Sequence, residues 1–244
     1  MIFSFFKGKE KRVSSELKVD VHSHLIPGID DGSQSMEESL ALLKGMEVLG
    51  YKKIITTPHI MSDAYPNTPE NINIGLKKLR YAAFNEGIKL QIEAAAEYYL
   101  DDSFYELLKK EDLLTLKDNY VLFETSYFSK PLQLEEMIFS MTSSGYIPVM
   151  AHPERYRYIK DPLAEYSRFQ ELGVVFQVNL NSFAGHYGRK ARELAFFLSE
   201  NGMISFLGSD IHHKKQVETL SNVFMLKEYK NILKNNKILN DTFI

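Results

Sequence analysis

The sequence predicts an α/β fold, a closed but somewhat irregular barrel of seven strand-then-helix units, and three observations predict it. Short apolar runs alternate with helical patterns along the chain, which implies parallel strands joined by right-handed crossovers. The length, 244 residues, is ordinary for one such barrel. Residue types that bind metals fall repeatedly at or just past the carboxyl ends of the strands, and in a parallel barrel those ends meet at one mouth.

The first strand, Val19 to Val21, runs into His22-Ser23-His24. Histidines two apart on an extended backbone project to the same side. Leu25 to Ser33 is a loop by its Pro27-Gly28 and Asp31-Gly32 pairs. Ser35 caps the next helix, Glu38 completes a capping box, Leu40, Leu43 and Met46 fall at helical spacing, and Gly50 ends it. Lys53 to Thr57 is a strand stopped by Pro58 and delivering His59. Thr68-Pro69 opens a helix whose buried stripe is Ile72, Leu76, Leu79 and Ala83, closed by Gly87. Leu90 to Ala95 leads to Glu97, and a helix follows over Asp102 to Lys110. Tyr120 to Phe123 ends at Glu124, before a helix over Leu132 to Ser144. Ile147 to Ala151 delivers His152, with a helix over Leu163 to Leu172. Val174 to Val178 ends at Asn179, with a helix over Arg189 to Asn201. Ser205 to Leu207 leads to Gly208-Ser209-Asp210-Ile211-His212, and the chain from about Val217 reads as helical.

Composition narrows the function. With 44% apolar residues, 25% charged and a net charge of -3, the chain reads as a soluble globular protein with no general pull toward nucleic acid. The absence of cysteine excludes disulfides, thiolate zinc sites and a cysteine nucleophile. No run is long enough to span a bilayer. Met1 to Phe6 is apolar and Lys7, Lys9, Lys11 and Arg12 follow, the reverse of a secretory signal. A cytoplasmic protein is expected, with residues 1–17 a flexible tail making at most a peripheral membrane contact and residues 18–244 a single barrel domain. Nothing in the sequence fixes the oligomeric state.

Of seven histidines, five lie at strand ends: His22, His24, His59, His152 and His212. With Asp31, Glu97, Glu124 and Asp210 they make nine nitrogen and oxygen donors, enough for two or three divalent ions with bridging carboxylates. Such a set, without sulfur, favours manganese, iron or zinc. Closely spaced cations lower the pKa of a shared water and neutralise a phosphoryl group, which suits hydrolysis of phosphate esters. Arg155 and Arg189 are candidates to hold phosphate oxygens, because the guanidinium fork matches them. Glu93 competes with Glu97 if it faces the interior; Glu154 reads as a solvated charge or a partner of a ligand; His186 is a candidate substrate contact and His213 an exposed residue. Tyr98, Tyr99, Tyr127, Tyr156, Tyr158 and Tyr187 crowd the expected mouth and suit an aromatic substrate.

The motifs Asp20-Val21-His22-Ser23-His24-Leu25-Ile26-Pro27-Gly28-Ile29-Asp30-Asp31-Gly32, Thr57-Pro58-His59, Ala96-Glu97-Tyr98, Ala151-His152-Pro153-Glu154-Arg155-Tyr156 and Ser209-Asp210-Ile211-His212 resemble those of a known family. It is that of the bacterial manganese-dependent tyrosine-protein phosphatases of capsular and exopolysaccharide synthesis, in the polymerase and histidinol phosphatase (PHP) superfamily. The resemblance runs from about residue 18 to 213. It implies a distorted (β/α)7 TIM-like barrel, the PHP fold, with three divalent metals, usually Mn2+, on His22, His24, Asp31, His59, Glu97, Glu124, His152, Asp210 and His212. It implies that Arg155 holds the phosphate, and that the substrate is the phosphotyrosine tail of a bacterial tyrosine autokinase. Many members carry another arginine a few residues after the last histidine; here His213-Lys214-Lys215-Gln216-Val217 stands there, so Lys214 or Arg189 is expected in that role.

The expected reaction is attack on phosphorus by a metal-bridged hydroxide, with Arg155, His152, His212 and Asp210 as the acting residues and His152, His212 or a metal-bound water as proton donor. Three other readings are open. One is a phosphatase of a small phosphomonoester such as histidinol phosphate. Another is an amidohydrolase, many of which need a lysine on the fourth strand where Glu124 stands. The last is a regulatory barrel without catalysis.

Overall fold

The computed structural model describes residues 13–244, so the apolar-then-basic stretch Met1 to Arg12 lies outside the described residues. Ser15 and Leu17, expected in a flexible tail, are instead buried, and the Ser15 amide donates to Leu49 O at 2.7 Å. Nine strands follow: β1 (Val19–Asp20), β2 (Lys53–Thr56), β3 (His59–Ile60), β4 (Gln91–Ala94), β5 (Glu97–Tyr99), β6 (Tyr120–Glu124), β7 (Ile147–Ala151), β8 (Val175–Asn179) and β9 (Ile204–Gly208). They alternate with helices α1 (Met36–Val48), α2 (Pro69–Asn85), α3 (Asp102–Lys109), α4 (Leu134–Ser143), α5 (Pro162–Glu171), α6 (Leu180–Phe183), α7 (Arg189–Glu200), α8 (Lys214–Met225) and α9 (Tyr229–Asn235). No helix among the described residues is long and apolar enough to cross a membrane.

All strand pairings are parallel and fall into two sheets, β1-β2-β4 and β3-β5-β6-β7-β8-β9. Seven strands were expected, and there are nine among the described residues because two of them break. Pro58, which has no amide hydrogen, interrupts the second strand between β2 and β3. The third breaks beside it at Ala95-Ala96, so Thr56 pairs with Ala94 before the gap and His59 with Glu97 after it.

Strand pairing does not close into a continuous ring among the described residues. Instead of a ladder between β1 and β9, the buried carboxamide of Asn240 sits between them. Its Oδ1 accepts from Leu207 N at 3.0 Å, while Nδ2 donates to Val19 O at 2.9 Å and Leu207 O at 2.7 Å. Asp20 extends the seam by accepting from Ser209 N at 2.8 Å and Ser209 Oγ at 2.7 Å. Only beyond both strands does the backbone pair directly, Asp210 N to His22 O at 2.8 Å and His24 N to Ile211 O at 2.9 Å. Asn240→Ala therefore leaves three buried backbone groups without partners and is expected to destabilise the protein by roughly 2–4 kcal/mol. Urea unfolding would measure it; a loss below about 1 kcal/mol would mean the seam holds without this side chain.

Side-chain alternation sorts the core into two layers. Along β6 and β7, Leu122, Val149 and Ala151 join an inner cluster with Val19, Val21, Ile55 and Phe206, while Val121, Phe123 and Met150 join an outer one facing the helices. Strands buried on both faces are what parallel sheets under helices require. Phe243, in a 3-10 turn over Asn240–Phe243, packs on the inner cluster, and its carbonyl accepts from Lys53 Nζ at 2.6 Å. Lys53 also pairs with Glu93 at 2.8 Å, so Glu93 is committed there and is not a metal donor. Ser35 caps α1, but Glu38 accepts from Gln34 N at 2.9 Å rather than closing a capping box; the box forms at α2, between Thr68 and Asn71.

Candidate metal centre

The extended segment after β1 turns both imidazoles to one side, with His22 Nε2 and His24 Nε2 3.3 Å apart. Each ring is fixed from behind. His22 Nδ1 donates to Gln177 Oε1 at 2.6 Å and His24 Nδ1 donates to Asp30 Oδ2 at 2.7 Å, which leaves both Nε2 lone pairs facing inward and available to a cation. Two glycines allow this packing: a Cβ on Gly32 would lie 2.4 Å from His24 Cβ, and one on Gly208 would lie 2.6 Å from both His22 Cβ and Gln177 Nε2.

Glu97, at the start of β5 and fully buried, is the centre of the arrangement. Its Oε2 lies 3.2 Å from His22 Nε2, 3.4 Å from His24 Nε2 and 3.2 Å from His59 Nδ1, and its Oε1 lies 3.0 Å from His152 Nε2. Asp31, from the β1–α1 loop, reaches His59 and His212, both at 3.4 Å. His152 (φ 34°) and Asp210 (φ 49°) follow β7 and β9 in the left-handed region, which side chains other than glycine adopt at a cost and which recurs at functional sites.

All nine expected ligands are brought together. They form four overlapping groups: His24, Asp31, His59 and His212; His22, Glu97 and His152; His22, His24 and Asp210; His59, Glu97 and Glu124. Within each, the donor atoms lie within 4.8 Å of one another. One detail tests whether ions fit. His59 Nδ1 is buried and 3.2 Å from both Glu97 and Glu124, yet makes no hydrogen bond with either. A nitrogen held against two carboxylates without donating to them fits a shared cation, and the imidazole and carboxylate mix fits manganese, iron or zinc.

The buried charges shift one another's ionisation. Burial alone would push His22 down, but Glu97 and Asp210 carry it up to about 9. Burial likewise opposes ionisation of Glu97, and His22 and His59 hold it well below the usual carboxylate range. Hydrogen bonds from His212 and His59 hold Asp31 low, and burial with the Arg155 guanidinium nearby pushes His152 down.

A cavity of about 300 Å³ opens over this cluster, lined by Asp31, His59, Glu97, His152, Asp210 and His212 together with Arg155, Tyr127, Tyr187, His186, His213, Lys215 and Gln216. Arg155 Nη1 donates to Asp210 Oδ2 at 3.0 Å. Two expected phosphate contacts are elsewhere. Arg189, in the first turn of α7, is 90% exposed and pairs with Glu193 at 2.8 Å. Lys214 begins α8 exposed and off the cavity wall, whereas Lys215, one helical step of about 100° further round, lines it. Glu154 is not a solvated charge: fully buried, it accepts from Asn179 N at 3.0 Å and Ser182 Oγ at 2.6 Å, and burial pushes its pKa up to about 7. Tyr98 and Tyr156 belong to the core.

Sequence reading missed Asp30, Gln177, Gln216 and Tyr65. Gln177 had a usable signal, lying two residues before Asn179 and so on the same strand face. Gln216 donates to Asp210 O at 2.8 Å and accepts from His212 N at 2.8 Å, and Tyr65 stacks on His59 with ring centres 5.4 Å apart.

Gly208→Ala is expected to push His22 off its place, lowering metal retention on dialysis and costing about 1–3 kcal/mol of stability. Full retention with an unchanged melting temperature would show that β8 and β9 yield to the methyl group.

The family model for capsular polysaccharide synthesis, CpsB/CapC, matches residues 18–228. Tyrosine-protein phosphatase YwqE of Bacillus subtilis is 30% identical over 198 residues, covering 81% of this chain and 78% of that protein. The putative tyrosine-protein phosphatase CapC of Staphylococcus aureus is 27% identical over 214 residues, covering 87% and 82%. A solved structure, from work on YwqE of Bacillus subtilis and CpsB of Streptococcus pneumoniae as unique metal-dependent tyrosine phosphatases, superposes with a TM-score of 0.77 at 28% identity. It covers 90% of this chain and 96% of that one.

Proposed function

This chain belongs to the CpsB/CapC family of capsular polysaccharide synthesis, and from that premise we propose that it is a metal-dependent protein-tyrosine phosphatase. The observation that carries the reading is the convergence of nine donors from six strand ends on one cluster, six of them lining a cavity that also holds Arg155. His22, His24, Asp31, His59, Glu97, Glu124, His152, Asp210 and His212 hold the ions, three by this reading, with manganese foremost and iron or zinc as alternatives. Glu97, with an oxygen toward His152 and another toward His22, His24 and His59, would serve more than one ion. When bound, such ions neutralise charge on a phosphoryl group and bring the pKa of water toward neutrality.

The chain's own residues supply the rest. Arg155 offers its remaining guanidinium donors to the phosphate oxygens, and Asp210 fixes where it points. A tyrosine leaving group departs as a phenolate whose conjugate acid has a pKa of about 10, so no strong acid is required of the cavity. The phosphotyrosine tail of a tyrosine autokinase is the substrate we infer, and the cytoplasm the location. We infer too that the two sheets are arcs of one distorted (β/α)7 barrel, a reading supported by the direct backbone pairing of His22 to His24 with Asp210 and Ile211.

The test is to strip the protein with a chelator, refill it separately with manganese, iron and zinc, and assay a phosphotyrosine peptide beside histidinol phosphate. Chelation is expected to abolish turnover, manganese to restore it, and the peptide to be preferred. Equal or better turnover of histidinol phosphate would assign the site to small phosphomonoesters. A fully metallated protein without turnover would be a regulatory barrel.

A further inference from the structure

Tyr127 and Tyr187 stand at the mouth, where an aromatic substrate would suggest stacking with the leaving ring, but their faces are engaged by the protein itself. The Arg155 Cζ lies 4.5 Å from the Tyr127 ring centre and 4.4 Å from that of Tyr187. Tyr127 follows β6 and Tyr187 follows α6, so separate loops supply the two rings. Each ring is tied to a ligand: Tyr127 OH donates to Glu124 Oε2 at 3.4 Å and Tyr187 OH donates to Asp210 Oδ2 at 2.9 Å.

Asp210 then shows a division of labour. Oδ2 accepts from Arg155 Nη1 at 3.0 Å, Asn179 Nδ2 at 2.6 Å and Tyr187 OH at 2.9 Å, while Oδ1 faces His22 and His24 at 3.6 Å and His212 at 3.4 Å. With one nitrogen spent on Asp210 and two rings against it, the guanidinium keeps one orientation. A free arginine samples many rotamers and must lose that freedom when it binds an anion.

We propose that Tyr127 and Tyr187 are positioning residues that hold the Arg155 guanidinium between them and fix the edge it presents to the substrate phosphate. This rests on the reading of Arg155 as the phosphate-holding residue. Aromatic contact with a partly buried guanidinium is the size of effect that sets a tenfold change in anion affinity.

The experiment uses the full metal-loaded chain with Tyr127→Leu, Tyr187→Leu and Tyr187→Phe, each alone and combined with Arg155→Ala. Calorimetric affinity for inorganic phosphate, KM and kcat on a phosphotyrosine peptide, and metal content are measured for each. Each leucine variant is expected to weaken phosphate binding and raise KM about tenfold, with kcat and metal content little changed. Tyr187→Phe keeps the ring but loses the hydrogen bond to Asp210, and should weaken phosphate binding by less than Tyr187→Leu does. In the Arg155→Ala background the leucine substitutions should have no further effect. Leucine effects that persist undiminished there, a phenylalanine variant as damaged as the leucine one, or loss of metal would overturn the inference. If Arg155→Ala alone leaves phosphate affinity unchanged, the reading of Arg155 fails and takes the inference with it.

Discussion

Glu97→Gln is expected to release at least one metal ion per chain and to lower kcat/KM on phosphotyrosine by on the order of 10³-fold or more. The substitution changes almost no volume, so the loss isolates charge and donor geometry. Glu97 places two oxygens among four imidazoles, at 3.0 to 3.4 Å, and belongs to two of the four donor groups. A carboxamide keeps one oxygen but turns a donating N–H toward an imidazole or a cation, where an acceptor is required. It also removes the negative charge that His22 and His59 face in the buried cluster. Mass spectrometry of the metal content, run beside the turnover assay, decides the point. A variant with full metal and more than about a tenth of parental turnover would show that Glu97 is not the shared ligand.

How much of this was legible in the sequence follows from which constraints are local. The convergence of the nine donors was readable because a strand end is a local event: an apolar run stops and a donor follows, as at Ala151-His152 and Thr57-Pro58-His59. Pro58 was read as the end of its strand; its missing amide hydrogen interrupts the ladder, and the pairing resumes at His59 through a contact with Glu97 that is distant in sequence. The β1–β9 seam was not readable. Asn240 acts on Val19 from 221 residues away, and nothing near either residue signals the contact. Phosphate contacts failed for a rotational reason, because successive residues of a helix point about 100° apart. Arg189 and Lys214 were placed correctly along the chain and turn away from the cavity, while Lys215 turns into it. Gln177 and Asp30 were passed over because they orient imidazoles from behind rather than meeting the cavity, although such partners set which ring nitrogen is free.

Arg155→Lys is expected to lower kcat/KM on phosphotyrosine by about 10²-fold, close to the loss in Arg155→Ala, although it conserves the charge. The reason is that Arg155 has two tasks at once. One nitrogen donates to Asp210 Oδ2 at 3.0 Å, and the opposite edge must remain free to meet phosphate. A planar fork does both because its donors point in fixed, different directions, whereas an ammonium has one nitrogen and must choose. Asp210 is the nearer and permanent anion, so the lysine is expected to be captured by it and to leave the phosphate without a partner. The guanidinium contact with Tyr127 and Tyr187, whose ring centres lie 4.5 and 4.4 Å from Cζ, is lost as well. Steady-state kinetics on the lysine and alanine variants, with metal content as the control, separates the two possibilities. Recovery to within about threefold of the parent by lysine would mean that positive charge alone suffices, and that the fork and its two rings have no part in holding phosphate.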